Sequence, residues 1–577
     1  QKQRYLKKIQ LYSKNDILAV DSDVILEEGL AAVVPLKTVH FIYNYDLCVG
    51  VPNNDMSIGE DDADHILNNN GGKLTLKKLF ITYNGNDKGR LSPYEFSYDS
   101  NPGYSRINMD RWGNFQRPKT GDGPSDDDAY ENLINPYTRQ DKDYIQRDAD
   151  ASAWSLNQIA LPSGGTINVD YEADDYGYVQ DHRAAQMADI VSFTSSDQFT
   201  PDFTEDGVKL KKKNTRIWFK AEELDGETDP VKRKEIIEDY VEGLDDIYFK
   251  VFEELKKPID LSESKAKDYV VGYAKVNREL TDYCGADASL GSYGYVDVKK
   301  EKYKTVGLDV LSTHPFRKAG WQYLRYARPD LFNDPGTYDD FADVPVGGLL
   351  SISMLMVSTV KEALLLGAMG EYNKYSIQGY CRKMSLEKRS FIRLNSPKHK
   401  KYGGGHRVKL VQLSDNWTEG ARDFGTEYSY ETSDGRTSGV ADYEPIVGGE
   451  ENALKKPIWY NGNDQFLNFQ HQDLFLETPF SEAVYPGARV VYSRVVVKNQ
   501  GLSEDDAAEM SVDGSQTGIT VNEFYTAKDL SQLKISQNIQ SLNDENKLLL
   551  ISAQSRQKRA TKSDIDKRDK LLFNKGK

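Results

Sequence analysis

Apolar and polar residues alternate with a period of two in several stretches of this chain. In residues 40–48, Phe41, Tyr43, Tyr45 and Leu47 fall on one face and Asn44 and Asp46 on the other. In residues 93–99, Tyr94, Phe96 and Tyr98 alternate with Glu95, Ser97 and Asp99. Residues 165–172 alternate Ile167, Val169 and Tyr171 with Asn168, Asp170 and Glu172, and residues 425–431 repeat the pattern around Tyr428 and Tyr430. That period marks strands with one face packed and one face wet. Residues 74–83, 408–413, 490–498 and 518–525 predict further strands with a less regular pattern. Asn70-Gly71-Gly72, Asn84-Gly85, Ser163-Gly164-Gly165, Asp434-Gly435 and Asn461-Gly462 supply hairpin-type turns.

The pattern changes in the middle. From 230 to 255, Ile236, Ile237, Tyr240, Val241, Leu244, Ile247, Tyr248, Val251, Phe252 and Leu255 follow helical spacing. Asp229 stands as N-cap before Pro230 at the first helical position. Residues 314–328, 349–369 and 372–384 predict further helices. The 349–369 segment is long and apolar, but it holds Lys361-Glu362 and several hydroxyl residues, which favours a buried helix over a membrane span.

Composition strengthens the β reading. The 577 residues include 36 Tyr against 21 Phe and 6 Trp, and tyrosine suits half-buried pleated surfaces. The length predicts two to four structural units. A mean hydropathy of −0.65 requires much polar surface. The net charge of −16 argues against a nucleic-acid binder. Lys211-Lys212-Lys213 and Lys398-His399-Lys400-Lys401 read as solvated loop edges between acidic stretches. Cys48, Cys284 and Cys381 are odd in number and far apart, so they read as buried, inert thiols and not as a disulfide framework or zinc site.

Candidate chemistry is sparse. The seven histidines form no HExxH, and the chain has no GxSxG elbow, Walker loop or GxGxxG opening a helix. Gly403-Gly404-Gly405-His406-Arg407 is glycine-rich but precedes a strand, so a turn feeding that strand is expected there. Glu60-Asp61-Asp62 and Ser125-Asp126-Asp127-Asp128 lack the ligand alternation of an EF-hand loop and read as solvated loops. Asp174-Asp175, with Tyr176, Tyr178 and His182 nearby, has the composition of a sugar cleft, and only the carboxylate separation can decide that. No catalytic, cofactor-binding or metal-ligating residue is therefore assigned, and no cofactor is expected. Trp112, Trp154, Trp321 and Trp417 are expected as packing anchors, and Gly164, Gly165, Gly404 and Gly449 as turn residues.

An ordered series of strings runs through the chain. It includes residues 36–41 leading to Tyr45-Asp46-Leu47-Cys48, Leu91-Ser92-Pro93-Tyr94-Glu95-Phe96, Asp110-Arg111-Trp112-Gly113-Asn114, Leu161-Pro162-Ser163-Gly164-Gly165, Tyr443-Glu444-Pro445, Gly448-Gly449-Glu450-Glu451-Asn452 and residues 523–529. The series resembles the Rhs/YD-repeat-like region of giant exported proteins of Bacteroidota. Tyr428-Ser429-Tyr430-Glu431 followed by Asp434-Gly435-Arg436 resembles one YD-type unit. The chain lacks a regular repeat period and the aspartyl self-cleavage motif of some members, so self-cleavage has no support. The resemblance implies a β-shell that encloses or carries cargo. It also implies an extracellular or cell-surface location, with export by a type IX route.

The expected fold is mainly β: a long twisted wall or shell of antiparallel strands with a helical insert near the middle. The expected units are a β-rich shell segment at 1–220, a helical insert at 221–385, a second shell segment at 386–530 and a polar tail at 531–577 that pairs with neighbouring structure. Gln1 at the start and the polar tail read as the ends of an internal piece. The expected function is a non-catalytic structural segment of a large secreted or cell-surface protein. Its expected partners are the rest of that polypeptide, enclosed cargo, and cell-surface or secretion-system proteins, with no nucleic acid and no membrane span. The alternatives are a cell-surface glycan- or protein-binding module and a carbohydrate-active enzyme.

Overall fold

The computed structural model describes residues 4–18, 33–52, 65–67, 70–106, 108–117, 137–140, 144–197, 207–255, 266–304, 310–328, 372, 375–376, 378–415, 423–445, 449–459, 475–478, 487–500 and 519–529. The protein is mainly β, with large antiparallel sheets. Its largest sheet has ten strands: β1 (Lys8–Leu11), β2 (Lys37–Leu47), β3 (Lys73–Tyr83), β4 (Tyr94–Ser97), β5 (Gln158–Ala160), β6 (Thr166–Tyr176), β7 (Lys401–Ser414), β8 (Asp423–Ser429), β9 (Arg494–Gln500) and β10 (Ile519–Glu523). Their order in the sheet is their order in the chain, and every neighbouring pair is antiparallel. Each of the eight stretches predicted as strands from the pattern overlaps a strand among the described residues, and residues 490–498 divide at Ser493 into Arg489–Tyr492 and β9.

Register turns the sequence alternation into two unlike faces. One face aligns Ile9 with Val39 and Ile81, and Phe41 with Leu79 and Tyr94. Two residues on from Tyr94, Phe96 opens a row through Ile159, Ile167 and Leu413 to Phe424. None of these side chains is buried, and Ile9, Leu413 and Phe424 are 52%, 43% and 57% exposed. The other face buries Ile42 and Phe80 on β2 and β3 and carries polar pairs from Lys78 to Asn168. Lys78 pairs with Glu95 at 2.6 Å, and Gln158 Nε2 donates to Asn168 Oδ1 at 2.9 Å. Ser163-Gly164-Gly165 makes the β5–β6 hairpin. Gly164 takes φ +95°, and a Cβ on Gly165 would lie 2.8 Å from the Ser414 carbonyl oxygen.

Between β6 and β7, which pair directly, residues 177–400 leave the sheet and return. They build a nine-stranded sheet in the order Val208–Lys209, Lys383–Met384, Asp246–Glu254, Phe391–Asn395, Ala185–Thr194, Arg216–Lys220, Tyr293–Asp297, Cys284–Ala286, with Lys267–Lys275 also paired to Asp246–Glu254. Helices Pro230–Val241 and Pro315–Ala327 pack on it. The region expected as a helical insert, 221–385, thus holds two longer helices and several strands among its described residues.

The helix expected over 230–255 stops at Val241, and Gly243 at φ +69° turns the chain into a strand. Ile247, Phe249 and Val251 on one side of that strand and Tyr248 and Phe252 on the other are all buried. Its near-continuous apolar run therefore fits helical spacing as well as strand spacing. Asp229 caps the shorter helix as expected, accepting from the Val231 amide at 2.9 Å. In the 314–328 candidate the cap is His314, whose Nδ1 accepts from the Phe316 amide at 3.2 Å. Burial pulls that imidazole down to about 3, so it is neutral.

The helix expected at 349–369, the tail 531–577, Asn461-Gly462, Trp417 and both acidic patches lie outside the described residues. No described helix is long and apolar enough to cross a membrane. Trp321 is fully buried in a cluster with Leu324, Tyr375 and Cys381, and Trp154 packs edge-on to Phe115. Cys48, Cys284 and Cys381 are buried free thiols.

Candidate functional site

The densest polar chemistry lies where the two units meet, around the glycine run of β7. The run is not a turn feeding a strand: Gly403, Gly404 and Gly405 lie inside β7 at φ +148°, +116° and +137°. Pairing with β6 skips there, from Tyr402 opposite Asp175 to His406 opposite Ala173, which makes a bulge. A Cβ on Gly403 would lie 2.5 Å from Trp112 Nε1, and one on Gly404 2.5 Å from Val490 Cγ2. Glycine is required because the 110–115 loop and strand Arg489–Tyr492 press on the bulge.

The bulge places Asp174 and Asp175 in one network. Arg407 donates to both Asp175 oxygens at 2.9 and 3.1 Å, to Glu172 at 2.7 Å and to Tyr492 Oη at 2.8 Å. Tyr492 Oη in turn donates to Asp174 Oδ1 at 2.5 Å. Burial raises the Asp174 carboxyl. Burial also pushes Asp175 up, but Arg407, Lys400 and Thr437 outweigh it and hold that carboxyl below its ordinary value. Two acids with opposed shifts are the pattern of an acid–base pair. Here, however, Asp175 is enclosed by Arg407, Lys400 (3.0 Å) and the Thr437 hydroxyl, which leaves no approach for a sugar. His182 bonds to Asp181 instead, and Tyr176 turns away to donate to Glu444 Oε1 at 2.6 Å.

A second network lies beside the first and was missed by sequence reading. Lys401 was expected on a solvated loop edge, but it is buried, with Nζ 2.7 Å from Glu444 Oε1 and 3.1 Å from Glu451 Oε2. Lys400 is likewise paired, with Asp175. Arg111 meets Glu451 at 3.2 Å and Glu450 at 3.7 Å. From the nine-stranded unit, Arg393 donates to the carbonyls of Glu450, Asn452 and Lys455. The signal in the sequence was indirect. Asp110–Asn114, Tyr443-Glu444-Pro445 and Gly448–Asn452 stood among the strings of the resemblance, and their described residues converge here. Buried ion pairs of this kind fix geometry more than they add stability.

Next to the bulge lies a cavity of about 30 Å³ lined by Asp110, Asn114, Arg147, Asp150, Tyr402 and Gly405, among others. That volume admits a water-sized occupant and no sugar ring. Asp110 accepts from the Trp112 and Asn114 amides and from the Thr138 hydroxyl, yet burial still lifts it to about 6. Arg147 stacks 3.4 Å over the Tyr402 ring.

Among the described residues, the grouping with metal-ligand composition is Asp239, Glu242 and His399. Arg183 already bridges its two carboxylates at 2.8 and 2.7 Å, supplying the positive charge an ion would bring. No family model, no curated protein and no solved structure matches the chain.

Proposed function

We propose that this chain is a non-catalytic wall segment of a large Rhs-like secreted or cell-surface protein, part of a β-shell that encloses or carries cargo. The observation that carries this reading is the apolar row from Phe96 to Phe424, half open on a sheet whose reverse face carries the polar pairs Lys78–Glu95 and Gln158–Asn168. Apolar surface of that extent on a soluble sheet marks a contact face. The rest of the shell polypeptide, or cargo inside it, covers that face. The paired state of Asp175 argues against the sugar-cleft alternative at Asp174 and Asp175.

Thiol labelling tests the reading, because the three native cysteines are buried. Leu413→Cys on the apolar face and Lys78→Cys on the reverse face should both react in the isolated chain. Within the natural polypeptide that contains the chain, Leu413→Cys should become protected while Lys78→Cys stays reactive. Equal reactivity of Leu413→Cys in both settings would overturn the wall.

A further inference from the structure

We propose that the ten-stranded sheet continues from copy to copy, head to tail, with β1 of a second copy of this chain pairing against β10. The proposal rests on the wall reading and names the wall's neighbour. Ten is an even number, so with every neighbour antiparallel the two edge strands run in opposite directions. A second copy placed beside the first by translation therefore presents β1 to β10 in the antiparallel sense that the sheet already uses throughout.

Among the described residues, both edges offer free backbone on matching residues. Lys7 and Leu11 carbonyls accept from Phe41 and Leu36 amides, so Lys7, Ile9 and Leu11 turn their backbone toward β2 and Lys8 and Gln10 turn theirs outward. Beyond β10, the Phe524 amide donates to the Ser493 carbonyl, so Thr520 and Asn522 face β9 while Ile519, Val521 and Glu523 face out. Outward residues pair with outward residues when Lys8 stands opposite Glu523 and Gln10 opposite Val521.

Charge selects that register. Lys8 aligns with His40, and Glu523 aligns with Arg494 and follows Val521; both lie on the face opposite the apolar row. An edge lysine normally blocks pairing, because a neighbouring strand would bury its charge. Opposite Glu523 the same lysine gains a partner. The two-fold alternative, β1 against β1, instead brings Lys7 and Lys8 of both copies to one seam.

Light scattering across a concentration series is the test, with proline placed where only an outward amide is lost. The wild-type chain should grow in mass without a fixed end point, as open heterologous assembly requires. Gln10→Pro and Val521→Pro should each remain monomeric. Mixed in equal amounts they should form one heterodimer of about twice the mass, since each retains the edge the other lacks. Lys8→Glu should weaken association, and Lys8→Glu with Glu523→Lys should restore it, which keeps the test decisive if either proline variant fails to fold. A homodimer of either proline variant, or a wild-type chain monomeric at every concentration, overturns the proposal. Neither result bears on thiol protection of the apolar face, so the two readings fail separately.

Discussion

The ten-stranded sheet and the nine-stranded unit are built from the same antiparallel strands and solve burial in opposite ways. In the nine-stranded unit, Phe391–Asn395 is buried along its whole length and Arg216–Lys220 along all but its last residue. Two helices seal that sheet, and even Arg216 is taken inside, 2.7 Å from Asp297. In the ten-stranded sheet the apolar row stays half open, although the short helix Tyr144–Ala151 packs on β6 and β7 beside it. One unit carries its own core; the other carries half of one. A sheet with one wet face is ordinary, but the wet face is normally the polar one. The difference teaches that strand content alone does not say whether a β-unit is finished.

The largest expected effect lies at the junction between the two. Lys401→Met removes the cation shared by Glu444 and Glu451 and leaves two carboxylates buried beside Tyr176. Breaking a buried pair from one side costs about 3–5 kcal/mol. Urea unfolding should show the loss, and an unchanged midpoint would mean that water reaches the network. Matched apolar truncations come next and test the comparison itself. Ile392→Ala, in the sealed unit, should cost about 2–5 kcal/mol, because the site is fully buried. Leu413→Ala, on the open face, should cost under about 1 kcal/mol in the isolated chain. Equal losses would mean that the open face is covered after all.

Much of the ten-stranded sheet was legible in the sequence, because a period of two survives wherever one face differs from the other, as in Phe41, Tyr43 and Tyr45 against Asn44 and Asp46. The sealed unit was harder to read for the same reason. Ile247 to Phe252 is apolar on both faces, so no alternation remained and the run passed for the continuation of the helix that ends at Val241. Lys400 and Lys401 looked solvated because their partners, Asp175, Glu444 and Glu451, are far away in sequence. Gly403–Gly405 announced an unusual backbone, yet only register shows that it is a bulge pressed between Trp112 and Val490. The Asp174-Asp175 pair was visible, while its capture by Arg407 and Tyr492 was not, since Arg407 comes from β7 and Tyr492 from a strand near β9.

The one expected effect that depends on pH follows from what sealing a core implies for a buried acid. Glu253 lies on the strand Asp246–Glu254, fully buried, and neither of its carboxylate oxygens has a hydrogen-bond partner. Its Oε2 and Cys381 Sγ both lie within 2.7 Å of where a Cβ on Gly320 would sit, so the side chain is wedged against the helix Pro315–Ala327. Burial raises this carboxyl well above its ordinary value, with Arg317 only partly opposing. The folded unit therefore keeps Glu253 protonated where the unfolded chain would ionise it. The sign follows: a raised acid does not destabilise below its unfolded value, and it lowers stability progressively as pH rises from there toward its folded value. Glu253→Gln keeps the shape and removes the proton. It should be nearly neutral near pH 4.5 and stabilise by about 1–3 kcal/mol at pH 8, read from urea midpoints followed by the fluorescence of Trp218 and Trp321 in the same unit. A gain of equal size at both pH values would mean that Glu253 does not titrate inside the fold, and that the nine-stranded unit is wetter than its burial indicates.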